Sequence, residues 1–453
     1  MFDVAVVGGG VVGCAVARRF TLQGARVLLL EKGADILSGA SKGNSAILHT
    51  GFDAPAGSLE LACMQAGYRE YLEIHQKLGL PLLESSAIVA AWSEEQFAKL
   101  AGIEAAAHAN GVADVRLISR DEILQREPAL SGVVLGGVLV PGEYLIDPWS
   151  APMAYLLQAL ENGAEVRRNT EVLSGSFDGT WRLQTSTGEV QARAVINCAG
   201  LFGDVLEERL LGTHGFTIKP RKGQFVVFDK AASRLLSAIL LPVPAERTKG
   251  IVLTPTVFGN LLVGPTAEEQ ESRERADTDT ETLQMLVDKA VEMLPALRDM
   301  PVTAIYAGIR PATEEKNYRV RHVAAQKYIV LGGIRSTGLT AALGLAQHAW
   351  DLYGGTHEAV AAPVWPQAPR LAEHCARDWQ DAGFGEIICH CELVTKREIE
   401  AALAGPLPAQ DWGGLKRRTR AGMGRCQGFY CNAALAVLCA GRLSPPLAEL
   451  PHE

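Results

Sequence analysis

Residues 1–31 place the strongest restriction on how this chain can fold. An apolar run over residues 2–7 predicts a buried strand, and it is followed by Gly-Gly-Gly-Val-Val-Gly at residues 8–13. The next residues are apolar at helical spacing as far as Leu22, and a second apolar run ends at Glu31. This order of strand, glycine turn, helix and strand predicts a βαβ unit, the building block of a parallel sheet.

The glycine turn predicts a dinucleotide site. In the spacing Gly8-x-Gly10-x-x-Gly13, the first glycine allows a tight turn, the second lets the backbone approach a pyrophosphate, and the third lets the helix pack closely on the sheet. The N-terminus of the helix adds N–H groups and the positive end of its dipole. Glu31 is placed to bind ribose hydroxyls, although a solvated acid at a strand end is the alternative interpretation.

The alternation of strands and helices does not continue beyond this unit. Residues 38–45 are small and polar, which predicts a loop rather than a crossover helix, and alternating patterns over 223–229, 250–256 and 260–264 predict an antiparallel sheet. Three regularly spaced prolines between residues 363 and 369 predict a semi-stiff connector, so residues 366–384 are interpreted as a linker between domains.

Composition excludes several classes of protein. The chain has 453 residues, 48% of them hydrophobic, and a formal net charge of −8. This balance argues against disorder and against a general nucleic-acid binder, which needs a basic surface. The uncharged, apolar stretch at residues 4–17 is too short and too rich in glycine to span a bilayer, and it follows Asp3 rather than a basic secretory leader. A cytoplasmic protein without a transmembrane segment of its own is expected.

Five further stretches indicate a family: residues 38–51, 146–148, 195–202, 308–311 and 331–340. Taken in this order, they resemble FAD-dependent oxidoreductases of the D-amino-acid oxidase superfamily. The resemblance implies an α/β FAD-binding Rossmann-like domain and an α+β substrate domain with an antiparallel sheet, interleaved along residues 1–365. The flavin part is expected over about 1–80, 141–205 and 301–365, and the substrate part over about 81–140 and 206–300.

The same resemblance implies which residues bind FAD. They are Gly8, Gly10, Val12, Gly13, Glu31, Lys32, Ser38, Ser41, Asn44, Ser45, Ala199, Gly200, Gly308, Gly333, Ser336, Thr337, Gly338, Leu339 and Thr340.

The C-terminal residues predict a metal centre. Cys389 and Cys391 are separated by thirty-four residues from Cys426 and Cys431, so four thiolates arrive as two close pairs. Gaps of one and four residues suit a zinc ribbon poorly, since its paired cysteines are usually separated by two residues. The pattern resembles the bacterioferritin-associated-ferredoxin-like [2Fe–2S] domain, which implies a small helical domain over residues 385–453. Zinc and an emptied site are the alternatives.

A basic run precedes the second cysteine pair: Lys416, Arg417, Arg418, Arg420 and Arg425. One interpretation is a solvated helix face. The other is a set of cations that stabilises a negatively charged cluster or docks an acidic redox partner.

A flavin beside an iron–sulfur centre implies a dehydrogenase that passes electrons singly to a partner subunit, which could lie at the membrane. The chain is most similar to the large subunit of anaerobic glycerol-3-phosphate dehydrogenase and to the L-2-hydroxyglutarate dehydrogenase group. These similarities imply a small anionic substrate, glycerol 3-phosphate or a 2-hydroxy acid. Amine or imino-acid oxidation, and an electron-transfer subunit without its own substrate site, are the alternatives.

Four residues are candidates for the substrate side. Arg310 matches the arginine of the glycerol-phosphate family's Gly-Val-Arg-Pro motif and could pair with a carboxylate or phosphate. His49 could be the general base, or alternatively a packing residue. Arg335 and Thr254 are further candidates for binding the substrate. Residues 332–339 lack the lysine, tyrosine and second arginine of the glycerol-phosphate family, which puts the substrate in doubt.

Overall fold

The computed structural model describes residues 1–244 and 250–448. Its first sheet has five parallel strands at the centre, in the order Glu165–Arg167, Val27–Leu30, Phe2–Val7, Gly188–Asn197 and Tyr328–Gly332. Antiparallel strands extend it on one side, namely Val172–Phe177, Trp181–Thr185 and Arg319–Val323. The glycine turn leads from the first strand into helix Val11–Leu22, so the predicted βαβ unit is present.

Both faces of this sheet are covered. Val4 and Val6 pack into one buried cluster with Phe20, whereas Ala5 and Val7 pack into a second cluster on the opposite face. Because successive side chains of a strand point to opposite faces, burial on both sides explains the uninterrupted apolar run. The helices of this part are Val11–Leu22, Leu59–Ile74, Ser150–Glu161, Gly203–Leu211 and Gly338–Tyr353.

The second sheet has nine strands. Their order is Glu268–Glu269, Ile218–Phe228, Leu261–Gly264, Val252–Pro255, Ile239–Pro242, Ala87–Ala91, Gly136–Val140 and Arg116–Ser119, and Val302–Thr313 also pairs with Ile218–Phe228. Its neighbours are antiparallel, as expected, except for the parallel pair Ile239–Pro242 and Ala87–Ala91. Those two strands come from separate pieces of the chain, so no tight hairpin forces them to run in opposite directions.

The strand Val302–Thr313 departs from the expected division of the chain. Residues 301–365 are assigned to the flavin part in the sequence analysis, yet this strand lies in the second sheet, paired along its length with Ile218–Phe228. On these two strands Arg310 is paired with Arg221, and Gly223 is paired with Gly308, next to the groove described below. The substrate-side sheet therefore contributes directly to the candidate site.

The remaining elements are short. Strands Ile47–Leu48, Leu82–Leu83 and Tyr144–Ile146 form a small sheet between the two large ones. Helices of the second part are Glu94–Phe97, Leu100–Ala109, Arg120–Arg126 and Thr280–Met293. Among the described residues, no helix has both the length and the apolar composition needed to cross a membrane.

The cysteine-bearing residues form a small third unit. Its strands are Ile387–Cys389 and Val394–Thr395, and its helices are Lys396–Ala402, Trp412–Thr419 and Asn432–Leu438. It has its own apolar core around Ile399, Leu415 and Leu435. The connector that leads to it is anchored, because Leu371 and Ala372 are buried in a cluster of the second part.

Candidate active site and cluster site

A groove of about 450 Å³ runs along the ends of the parallel strands. Such crevices at the carboxyl ends of strands are where open α/β sheets bind ligands. Its lining contains most of the residues predicted to hold a dinucleotide: Gly8, Gly10, Val12, Glu31, Lys32, Ser38, Ser41, Asn44, Ala199, Gly200, Gly333, Ser336, Gly338 and Leu339. Residues from five separated segments therefore converge, and their individual contacts with a cofactor stay predictions.

Two glycines of the turn are required by close approaches. Gly8 has a φ of +112°, and a Cβ there would lie 2.4 Å from the Cys198 carbonyl oxygen. A Cβ on Gly13 would lie 1.9 Å from the Gly8 carbonyl oxygen. Neither position can hold a side chain, so the strand end, the turn and the helix are pressed together as a dinucleotide cradle requires.

Glu31 is fixed at the wall of this groove. Its carboxylate accepts a hydrogen bond from the Gly9 N–H at 2.7 Å and another from the Gly33 N–H at 2.7 Å, one on each oxygen. Each carboxylate oxygen has a second lone pair. The side chain is thus held in one orientation and can still accept hydrogen bonds from ribose hydroxyls.

Five predicted cofactor residues do not line the groove. Gly13 lies beneath the turn, and Ser45 and Gly308 lie next to lining residues. Thr337 is buried, and its hydroxyl contacts Tyr318 and Glu60. Thr340 is also buried; its Oγ1 donates to the Ile47 carbonyl and accepts the His49 N–H. The two threonines thus support the polypeptide around the groove.

His49 forms a pair with Glu143. Its Nδ1 lies 2.7 Å from Glu143 Oε2, and the other oxygen of that carboxylate accepts the Thr50 N–H at 2.6 Å and the Thr50 hydroxyl at 2.8 Å. The Glu143 side chain is fully buried, whereas that of His49 is 21% exposed. A carboxylate on Nδ1 orients the ring and makes Nε2 the nitrogen that accepts a proton. Sequence reasoning missed Glu143, which follows an ordinary Pro-Gly turn.

Arg310 is a partly buried cation held by backbone oxygens. Its guanidinium donates to the carbonyls of Lys222 at 3.4 Å and Thr266 at 3.1 Å, and it lies over Gly223, where a Cβ would come within 2.6 Å of Nη2. Across the described residues, no carboxylate forms an ion pair with it. Burial, together with the nearby charges of Arg221 and Arg335, lowers the pKa of Arg310 to about 10.

The other two substrate-side candidates lie in different places. Arg335 lines the groove and donates to the Lys316 carbonyl at 2.7 Å. Thr254 is fully buried within the second sheet, where its hydroxyl donates to the Pro255 carbonyl at 2.9 Å. The structure brings Arg335 to the groove and does not bring Thr254 there.

The four tail cysteines come together as two pairs. The thiol of Cys391 interacts with that of Cys426, and the thiol of Cys389 interacts with that of Cys431. A Cβ on Gly424 would lie 2.4 Å from the Cys391 Cβ, so this glycine lets the two cysteine loops meet. Two pairs of thiolates suit a cluster with two iron atoms. In the described part of the chain, no three His, Cys, Asp or Glu side chains surround a single metal position.

The basic run docks the cysteine unit onto the rest of the chain. Arg417, Arg418 and Arg420 are buried, so the interpretation as a solvated face is wrong for them. Arg420 pairs with the buried Glu392 at 2.7 Å and lies 4.0 Å from the ring centroid of Phe258 in the second part. The sequence pattern could not show this burial, because these arginines are covered by residues that lie far away in sequence and come close only in the folded chain.

Arg425 makes a second connection to the second sheet, although its side chain is 68% exposed. Its guanidinium donates to both carboxylate oxygens of Asp229, at 2.6 and 3.0 Å, and these bonds hold the pKa of Asp229 at about 2. The cysteine loop that begins at Cys426 is thereby fixed to the second part of the chain.

The groove fits FAD on its own geometry. A tight glycine cradle, a helix N-terminus and an anchored carboxylate at the end of the second strand are the groups that bind a pyrophosphate and a ribose. The four cysteines likewise fit a two-iron cluster, because two close pairs of thiolates match the four ligands that its iron atoms take from the protein.

Comparisons with known proteins agree with both assignments. Residues 3–352 match the family model "FAD dependent oxidoreductase", and residues 387–440 match "BFD-like [2Fe-2S] binding domain". A glycerol 3-phosphate dehydrogenase from Caloramator mitchellensis is 30% identical over 468 residues, covering 100% of this chain and 97% of that protein. An L-2-hydroxyglutarate dehydrogenase from Escherichia coli K12 is 28% identical over 298 residues, covering 63% of this chain and 69% of that protein.

A solved structure shows the same fold with a flavin in place. The dithionite-reduced L-alpha-glycerophosphate oxidase from Mycoplasma pneumoniae, with FAD bound, is 27% identical and has a TM-score of 0.76; the match covers 81% of this chain and 99% of that one. The family resemblance, the fold class and both cofactors expected from the sequence are confirmed. This chain belongs to the FAD-dependent oxidoreductase family, and it carries a C-terminal BFD-like [2Fe–2S] binding domain.

Proposed function

We propose that this chain oxidises a small 2-hydroxy compound bearing an anionic group, either glycerol 3-phosphate or a 2-hydroxy acid. Its relatives named above act on compounds of this kind. In the proposal, the substrate gives up a hydride to FAD, and the two electrons then leave one at a time through the [2Fe–2S] centre to a partner protein. That partner could lie at the membrane.

Arg310 is the observation that carries the choice of an anionic substrate. A cation removed from water without a carboxylate beside it is costly, and an incoming anion offsets that cost. Its strand neighbours Ile309 and Pro311 line the groove from the opposite face of the strand. Burial lowers the pKa of Arg310, and Arg335, which also lines the groove, lies near enough for its charge to lower that pKa further. A phosphate or carboxylate bound by Arg310 would therefore lie close to the cofactor site, and a guanidinium suits the bidentate binding of either anion.

The His49–Glu143 pair supports oxidation of an alcohol. Removing a hydride from a carbinol carbon requires that the hydroxyl proton also leave, so a base must accept it. The buried Glu143 carboxylate orients the imidazole and stabilises the cation formed when His49 takes that proton. Bound FAD supplies the two-electron acceptor for the hydride.

The docked cluster domain supports onward transfer of electrons. Arg420 and Arg425 hold its cysteine loops against the second sheet, so the cluster site belongs to the same compact body as the groove. The chain around Cys431 carries three exposed apolar side chains, called here the apolar patch: Phe429 and Tyr430, whose ring centroids lie 5.2 Å apart, and Val437 of the following helix, which are 81%, 74% and 65% exposed. Residues 426–441 contain no charged side chain. We propose that an electron-accepting protein docks there through an uncharged surface.

Serine substitutions at Phe429 and Tyr430 test this surface. We expect the tagged wild-type chain to retain its partner when purified from its native host, and the double variant to lose it, because exposed aromatic anchors contribute about 2 kcal/mol or more each to binding. Val133, which is 65% exposed and remote in sequence, gives a matched Val133→Ser control that should keep the partner. Reduction of a small dye by substrate should stay unchanged in all three proteins. A partner that stays bound to the double variant contradicts the docking surface.

Anaerobic mixing with a panel of substrates tests the activity itself. Bleaching of the flavin by glycerol 3-phosphate or by 2-hydroxy acids, but not by amino acids or uncharged alcohols, is the expected result. Glycine or proline as the best reductant would favour amine oxidation instead, and no bleaching by any compound would indicate a subunit without its own substrate site. Because residues 332–339 depart from the glycerol-phosphate pattern, the panel should include both phosphates and carboxylates.

A further inference from the structure

The cluster domain touches the loop that forms the FAD groove. Helix Trp412–Thr419 lies against the short segment of residues 33–37, which begins two residues after Glu31. Asp35 in this segment is fully buried, and Arg418 donates two hydrogen bonds to its carboxylate, from Nη1 to Oδ2 at 2.7 Å and from Nη2 to Oδ1 at 2.9 Å. Arg168 lies 3.3 Å from the same carboxylate and also donates to the Pro408 carbonyl at 2.6 Å.

The fit between this helix and the segment is close. Arg417 donates from Nη2 to the Ile36 carbonyl at 3.0 Å. A Cβ on Gly414 would lie 1.8 Å from Asp35 Oδ2, so only a glycine allows the helix to approach the carboxylate this closely. These contacts use the charges of the basic run inside the protein rather than at its surface.

The same segment is also part of the dinucleotide cradle. The Leu37 N–H donates to the Gly9 carbonyl at 2.9 Å, and the Gly33 N–H donates to Glu31 at 2.7 Å. Glu31, Leu37 and Ser38 line the groove. One side of residues 33–37 therefore meets the cofactor site, and the other side meets the cluster domain.

We infer that the Asp35–Arg418 ion pair couples retention of FAD to docking of the cluster domain. If the domain detaches, Asp35 loses its bidentate partner and keeps the longer contact with Arg168 at 3.3 Å, so its carboxylate is poorly compensated and residues 33–37 rearrange to hydrate it. That rearrangement breaks the hydrogen bonds by which the segment holds Glu31 and the glycine turn in place, so FAD is bound less tightly. By linkage, bound FAD favours the docked domain by the same factor. The inference goes beyond the proposed function, because it concerns cofactor retention and holds for any substrate.

The first test uses Arg418→Ala in the full-length holoenzyme. Release of FAD after dilution is followed by the rise in flavin fluorescence, and we expect it to be about tenfold faster than in the wild type, a typical size for coupled sites. Arg425→Ala is the matched control, because it breaks a different ion pair of the domain, with Asp229, and neither of these residues lines the groove. Because Arg425 is 68% exposed, its loss should leave the Asp35–Arg418 contact in place, so the tail should stay as resistant to protease as in the wild type and the FAD release rate should change by less than about twofold.

A second measurement needs no variant. Hydrogen exchange of the wild-type chain is compared between FAD-saturated and FAD-depleted samples, and depletion should speed exchange in helix Trp412–Thr419 but not in helix Thr280–Met293. An Arg418→Ala enzyme whose tail is protease-sensitive but which releases FAD at the wild-type rate would overturn the inference. Equal exchange of the tail helix with and without FAD would do the same, even where Arg418→Ala fails to fold.

Discussion

Replacing Arg310 with methionine is expected to raise KM for the anionic substrate about a hundredfold. The variant loses its hydrogen bonds to the charged group of the substrate, and each such bond contributes roughly 1.5–3 kcal/mol to binding. The variant should not melt below the wild type. In the wild type, the Arg310 guanidinium donates to backbone carbonyls and, within the described residues, has no carboxylate beside it. Methionine has a similar volume and no charge, so the substitution removes a buried cation that is poorly compensated. Steady-state kinetics and thermal unfolding measure the two effects on one preparation.

Arg335→Met provides the comparison for this variant. Arg335 lines the groove but is bound to the Lys316 carbonyl, so its loss should raise KM less than the loss of Arg310. An unchanged KM in Arg310→Met, or a larger effect from Arg335→Met, contradicts the assignment of Arg310 as the anion-binding group.

The pKa of Arg310 gives the same site a pH signature. Its protonated form binds the anion, and its pKa in the free enzyme is about 10. KM should therefore be flat below this value and rise as the pH passes through it, since the free enzyme then loses the binding cation. The rise should be absent in Arg310→Met, where no proton is lost at that position. KM measured across the alkaline range checks both statements.

Replacing His49 with alanine is expected to slow flavin reduction by a 2-hydroxy substrate about 10²–10⁴-fold, the usual contribution of a general base. Glu143→Gln should cause a smaller loss, because an amide keeps the size of the side chain but no longer stabilises the imidazolium. Anaerobic stopped-flow measurement of flavin bleaching isolates this step from later electron transfer. Both variants should keep their FAD, which the absorbance spectrum reports.

His322 supplies the control for the histidine substitution. It is exposed on strand Arg319–Val323, away from the pair, so His322→Ala should reduce its flavin at the wild-type rate. Amine oxidation needs no dedicated base if the neutral amine binds. A His49→Ala enzyme that keeps its rate on the best substrate would therefore contradict the role of His49 as the general base and favour an amine as the substrate.

Local patterns explain why much of the flavin part could be predicted. Gly8, Gly13 and Glu31 act within one βαβ unit, where the order of strand, turn and helix dictates which residues meet. The paired spacing of Cys389 with Cys391 and of Cys426 with Cys431 is local in the same way. Each of these predictions required only that neighbours in sequence be neighbours in space.

Long-range contacts explain what was missed. His49 meets Glu143 across 94 positions, and Asp35 meets Arg418 across 383. Glu143 is a single acid after a turn, and Asp35 is a single acid before two apolar residues. Neither belongs to a periodic sequence pattern from which its distant partner could be predicted. The assignment of Val302–Thr313 to the second sheet was missed for a related reason, since a strand's pattern reports its burial and not the strand beside it.

The sequence by itself determined that this chain builds a dinucleotide cradle and carries two cysteine pairs, because both follow from residue spacing along a few turns of backbone. Only the tertiary structure decided that the basic run faces inward, that a buried carboxylate orients His49, and that Arg310 stands without an acidic partner among the described residues. Those outcomes depend on which distant charges folding brings within about 3 Å of one another, and at that distance a hydrogen bond or its absence sets the electrostatics of the site.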